Sequence, residues 1–171
     1  GAPHALPGAT LALNSAVLNV STSYCDSAVS TIQSNQTVIA SGTSAINGVL
    51  CVGAGATLAL PSVTDSLTVG SLAFQSGATL KWKHEAKTST PIHVTGDLAL
   101  PARLTLDLTG SSGNPSRVTP IITYDGGAVV PAEGVKVDVV GATEAGTKAV
   151  VVAGEKCVIL MSPSGTMVLV K

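Results

Sequence analysis

Apolar and polar residues alternate along this chain in short bursts, and the bursts share a phrase. PGATLAL spans residues 7–13, AGATLAL spans 54–60 and SGATLKW spans 76–82, with a looser version, GDLALPARLTLDLTG, at 96–110. Each pairs a glycine turn with a strand pattern in which leucine takes one face and threonine or a small residue takes the other. Leu58 and Leu60 are therefore expected inside, alternating with Thr57 and Ala59. Gly8, Gly55 and Gly77 open the phrases, separated by 47 and 22 residues, close to two periods and one. A period in the low twenties is the length of one β-solenoid coil, whose inward face is buried only by the coils above and below it. QTVIASG, INGVLCVG and DSLTVGSLAF fit as the intervening short strands.

From Pro91 the rhythm changes. RLTLDLTG, VTPIITYDG, GVKVDVVGA, TKAVVVAGEKCVILM and TMVLVK are longer strand candidates, separated by turns such as SSGNPS, DGGA, PAEG and SPSG. That punctuation predicts antiparallel strands in a small sandwich-like cap. A solenoid needs one, because its last coil otherwise presents an open edge. The predicted fold is all-β: short parallel β-helix coils over residues 1–88, then an antiparallel cap over 89–171.

Composition sharpens this division. Residues 1–80 hold Asp26 and Asp65 but no Lys or Arg; all nine basic residues lie from Lys81 onward. Charged residues make up 11% of the chain, against roughly 25% in ordinary soluble domains, so Ser, Thr and Asn supply much of the wet surface. With Phe, Tyr and Trp at only 2%, small and branched aliphatics must fill the core, and almost no helix is expected. The net charge of −1 gives no general attraction to nucleic acid or anionic membrane. No apolar run approaches the ~20 residues of a membrane-spanning helix.

The GATLAL phrases, then TPIHVTGDLALPARLTLDLTG, PIITYDGG and the closing GTMVLVK, resemble autotransporter-associated β-strand repeats. The resemblance covers most of the chain from Gly53 onward and, more faintly, residues 7–13. It implies a right-handed β-helix passenger of a secreted or surface protein from a Gram-negative bacterium, finished by a sandwich-like cap. The implied role is a stalk, adhesin or carrier, without shared catalytic residues. The chain departs from that family in being short, in carrying cysteines and in lacking an outer-membrane barrel.

Candidate chemistry is sparse. LTLDLTGSSG, 104–113, comes within one leucine of the Asp-Thr-Gly-Ser signature of an aspartic peptidase. That chemistry needs a second carboxylate sharing one proton, and Asp65 and Asp125 are the candidates to partner Asp107. The competing reading is a strand with Asp107 on the polar side, beside Thr105 and Thr109. VGAGAT, 52–57, looks like a phosphate loop but leads into a strand, so its glycines have no helix dipole to offer an anion. KWKHEAK, 81–87, is the densest charged patch. Lys81, Trp82, Lys83 and His84 form a candidate binding surface for a sugar or a base, against the alternative of an interdomain linker in which Trp82 caps the last coil. His4, His84 and His93 have no ligand spacing. NVS at 19–21 and NQT at 35–37 match the glycosylation pattern. Cys25 and Cys51 either bridge or remain buried thiols, and Cys157 on CVILM is expected buried and unpaired.

The leading expectation is a secreted or surface-exposed, non-enzymatic β-repeat protein that binds a protein or glycan partner and needs no cofactor or metal. The rivals are an acid-pH aspartic-type peptidase centred on Asp107 and a nucleic-acid binder acting through Lys81–Lys87.

Overall fold

The computed structural model describes residues 10–19, 29–32, 35–85, 90–112, 118–142 and 146–161. Among them the chain forms sixteen strands and a single three-residue 3-10 turn, Ala153–Glu155. The strands make two sheets. The first is parallel throughout and runs in the order β1 (Thr10–Asn14), β4 (Thr37–Ser41), β6 (Thr57–Leu60), β8 (Thr79–Trp82), β11 (Arg103–Asp107), β14 (Lys136–Val140).

The second sheet contains β2 (Val17–Asn19), β3 (Val29–Ile32), β5 (Thr43–Val52), β7 (Ser66–Phe74), β9 (Ile92–Val94), β10 (Leu98–Ala99), β12 (Val118–Tyr124), β13 (Ala128–Val129), β15 (Lys148–Val152) and β16 (Cys157–Met161). Each coil contributes one strand to the first sheet and then a long or divided strand to the second. This is a parallel β-solenoid of about four turns joined to a mixed sheet.

The repeated phrase sets the register. Thr37, Thr57, Thr79 and Thr105 are directly paired neighbours, so successive coils are 20, 22 and 26 residues long. One residue further on, Val38, Leu58, Leu80 and Leu106 stack in an inward column, each 4% exposed or less. Burying each leucine contributes about 1.5–3 kcal/mol. Leu60 is buried as expected; Ala59, on the outer face, is buried as well, so the expected alternation in burial does not extend to it.

The turn before each strand explains the glycine. Asn35, Gly55 and Gly77 have φ of 62°, 72° and 87°, a left-handed conformation that only glycine, and next best asparagine, adopts cheaply. In that conformation the N–H of Asn35 donates to the Gly55 carbonyl, that of Gly55 to Gly77, and that of Gly77 to Arg103. The turns thus form a ladder of their own. VGAGAT belongs to this ladder and leads into β6, as its strand reading requires.

The second sheet continues the same core. Leu67, Ile92 and Ile122 share one inward row, Val69, Val94 and Tyr124 the next. Beyond the second row the coils carry a stack of glycines, next to a register shift between Ile46 and Val49 of β5. A Cβ on Gly70 would lie 2.5 Å from the Gly48 carbonyl oxygen, one on Gly96 2.6 Å from that of Gly70, and one on Gly126 2.6 Å from that of Gly96.

Parallel pairing joins strands on either side of the expected boundary in both sheets: β7 pairs with β9 and β10, and β8 with β11, all in parallel. The antiparallel architecture expected over 89–171 is confined to β12, β16 and β15. The physical reason is register. TPIHVTGD and PIITYDGG place Ile92 on Ile122, so both are further coils of the solenoid despite their different phrasing. The hairpin β15–β16 then turns back and pairs antiparallel with β12.

Candidate functional site

Sequence reasoning singled out two stretches, and coil stacking brings them together. Thr105, Leu106 and Asp107 of β11 pair with Thr79, Leu80 and Lys81 of β8. Asp107 therefore faces Lys81, with 3.6 Å between carboxylate and ammonium, and their side chains are 23% and 47% exposed. The Thr109 N–H donates to Asp107 Oδ1 at 2.9 Å, the geometry of an Asx turn. Burial alone pushes the Asp107 carboxyl up, but the Thr109 hydroxyl and N–H together with the Lys81 charge outweigh it, leaving the pKa below its ordinary value. A peptidase dyad has the opposite character, one carboxyl held protonated by its neighbour.

The two other candidate acids serve elsewhere. Asp65, in the turn between β6 and β7, accepts the Gly42 N–H at 2.7 Å through Oδ1 and the Ser62 N–H at 2.6 Å through Oδ2. It ties two successive coils at a corner. Asp125 follows β12 and lies 3.3 Å from His93 Nε2, while Lys156 Nζ bonds its backbone carbonyl. Each of the three carboxylates thus has its own partners, and no carboxylate is among the groups that shift Asp107.

KWKHEAK divides by strand alternation. Lys81 and Lys83 point to solvent; Trp82 and His84 are each 1% exposed. Trp82 pairs with Leu60 in the ladder and belongs to the core, so it presents no face to a sugar or base. Nor does it cap the last coil, because β11 stacks beyond β8. Lys87 lies outside the described residues. Sequence reading treated the patch as one surface, whereas the period of two splits it between outside and inside.

His84 has unusual surroundings. Its ring lies 5.3 Å from that of Trp82, tilted by 40°. Among the described residues, neither His84 ring nitrogen nor Trp82 Nε1 has a hydrogen-bond partner. Burial lowers the imidazole pKa below its ordinary value, and the adjacent Glu85 backbone pulls weakly the other way. The His84 backbone, by contrast, is well tied: its N–H donates to Ser111 Oγ at 3.1 Å, its carbonyl accepts the Ser112 N–H at 3.0 Å, and the Ser111 hydroxyl reaches the Trp82 carbonyl at 3.4 Å.

Stacking also assembles a trio that the linear sequence separates by 30 residues. His93 Nδ1 lies 3.3 Å from Thr123 Oγ1, and its Nε2 faces Asp125. Aligning IHVTGD with ITYDGG would have revealed this register. Hydroxyl, imidazole and carboxylate match a nucleophilic triad in composition. However, the His93 and Asp125 side chains are 45% and 62% exposed, and such an open site gives little of the water exclusion that strengthens electrostatic catalysis.

Among the described residues no group of three or more His, Cys, Asp or Glu is arranged to hold a metal, and no helix is long and apolar enough to cross a membrane. Cys51 is buried in β5, while its candidate partner Cys25 lies outside the described residues, as does His4. Cys157 is buried and unbridged, and its thiol is raised by burial and by the Glu155 charge. None of the family models, curated proteins or solved structures compared with the chain matches it.

Proposed function

We propose that this chain is a secreted or surface-exposed, non-enzymatic β-repeat protein, stalk-like or adhesin-like, that engages a protein or glycan partner through the outer face of its solenoid. The observation that carries this reading is a row of threonines. Thr10, Thr37, Thr57, Thr79 and Thr105 occupy one register on successive strands of the first sheet, and the last four are half-buried on its outer side. Neighbouring strands lie about 4.8 Å apart, so the row is a regular line of hydroxyls suited to an extended partner rather than to a small molecule in a cleft. The resemblance to autotransporter-associated repeats supports the same role and a Gram-negative surface location.

Binding of the intact chain to glycan and protein arrays tests the proposal. Binding that is lost in Thr57→Lys or Thr79→Lys, with the strand signal in circular dichroism intact, supports it. An array without hits, or binding that survives both substitutions, overturns it.

A further inference from the structure

A buried histidine whose ring nitrogens have no hydrogen-bond partner among the described residues is stable only while neutral, because an unpaired buried charge is strongly unfavourable. His84 meets that description, and it sits where two coils are fastened. Its backbone joins the exit of β8 to Ser111 and Ser112 beyond β11, and its ring packs against Trp82. We propose that His84 is an acid-released latch: protonation drives its imidazole out of the core, unfastens the β8 exit from Ser111 and Ser112, and opens Trp82 to water while the coils stay paired.

Among the described residues, the charged groups on these elements do not offer the imidazolium a partner inside. β6 contributes TLAL, without a titratable side chain. In the turn after it, Asp65 is engaged by Gly42 and Ser62. On β8 and just beyond it, Lys81, Lys83 and Glu85 are exposed. On β11, Asp107 is paired with Lys81 and Arg103 with Asp138. On β9, His93 faces Asp125 and Thr123. The ordinary histidine value of 6.5 applies once the ring is in water, so the open form binds a proton more tightly than the closed one. Opening therefore becomes easier as pH falls below that value.

Trp82 is the sole tryptophan, so its emission reads the latch directly. Emission maximum and acrylamide quenching of the intact chain are followed from pH 8 to pH 4, with far-ultraviolet circular dichroism in parallel. Emission maximum and quenching are the readouts, rather than intensity, because a protonated imidazole in contact quenches tryptophan on its own. The expected result is a shift to longer wavelength and a severalfold rise in quenching below the ordinary histidine range, with the strand signal unchanged. His84→Gln and His84→Leu should abolish the transition, and His93→Gln should retain it. If neither His84 variant folds, exchange of the Ser112 amide in the unaltered chain decides. Corrected for intrinsic pH dependence, it should be faster at pH 5 than at pH 7. A flat emission profile, a transition that survives the loss of His84, one that coincides with loss of the strand signal, or unchanged Ser112 protection overturns the proposal.

Discussion

The middle coils and the last coil are built from similar strands yet bury very different amounts. β6, β8 and β11 each bury their inward residues fully, whereas no residue of β14 or β15 is fully buried. KVDVV in β14 is as β-prone as TLAL in β6, so propensity is not the cause. A middle strand has a neighbour on both sides; among the described residues β14 is an edge of its sheet. Its surface is charged accordingly. Arg103 Nε reaches Asp138 at 2.6 Å, Lys136 lies 3.7 Å from the same carboxylate, and hydrogen bonding and charge from Arg103 hold that carboxyl below its ordinary value. Charged side chains on an edge discourage pairing with another chain. Among the described residues the opposite edge is β1, which reads TLALN, carries no charged residue and exposes 46% of Leu11. Stability in this molecule is therefore set by position in the stack more than by the strand sequence.

The sharpest test of that contrast removes the same chemistry from both regions. Leu80→Ala opens a cavity between Leu58 and Leu106 and should cost about 2–5 kcal/mol. Val139→Ala, in register with Leu106 but on the edge strand, should cost about 1 kcal/mol, because its methyls are only partly removed from water. Chemical denaturation measures both. Equal losses would show that the last coil is as tightly coupled as the middle ones.

Glycines extend the comparison. Gly70→Ala drives a methyl into the Gly48 backbone, with its oxygen at 2.5 Å and its nitrogen at 2.8 Å, and backbone cannot swing aside as a side chain can. A loss of about 1–3 kcal/mol or more is expected. Gly154, in the turn between β15 and β16, has nothing within 4 Å of the same added atom, so Gly154→Ala should stay within about 0.5 kcal/mol. A tolerated alanine at Gly70 would mean that the Gly48 backbone shifts easily and that the glycine stack is not needed for the close approach.

These positions also show what can be read from the linear chain. Leu58, Leu60 and the turn glycines were legible because one phrase recurs and period-two alternation assigns its faces. The later coils were harder to see. TPIHVTGD and PIITYDGG share little with GATLAL, and only the pairing of Ile92 with Ile122 reveals them as equivalent. Trp82 and His84 look like surface residues when lysines surround them, yet the alternation that places Leu80 inside places both of them inside too. Asp65 stood out only as a candidate second acid; its role at the corner was not legible, since it depends on a turn that folds around it and on Gly42 in the coil before.

Asp65 yields the next prediction. Asp65→Ala leaves the Gly42 and Ser62 N–H groups without their acceptor in a part-buried corner. Unsatisfied buried donors cost about 1–3 kcal/mol each when water cannot reach them; because both bonds are only part-buried, a combined loss of about 1–3 kcal/mol is expected from denaturant melts. A loss near zero would show that water replaces the carboxylate and that the corner is open.

Asp107 should give the smallest effect. A carboxylate with a lowered folded pKa contributes stability that is present above its unfolded value and is lost as pH falls through the folded one. At pH 7, Asp107→Asn should therefore destabilise, but Lys81 is 47% exposed and solvent screens the pair, so the cost should not exceed about 1 kcal/mol. As pH falls toward 3 the difference between the two proteins should begin to shrink, because Asp107 is progressively protonated as the pH approaches its lowered value. Lys81→Met should remove the charge part of the same effect, and the double variant should lose less than the sum of the two. A catalytic dyad predicts the reverse sign: relief of repulsion would make Asp107→Asn stabilising at neutral pH, with no dependence on Lys81. Unfolding midpoints of the four proteins at pH 7 and pH 3 distinguish these outcomes, and a stabilised Asp107→Asn would return the peptidase reading to first rank.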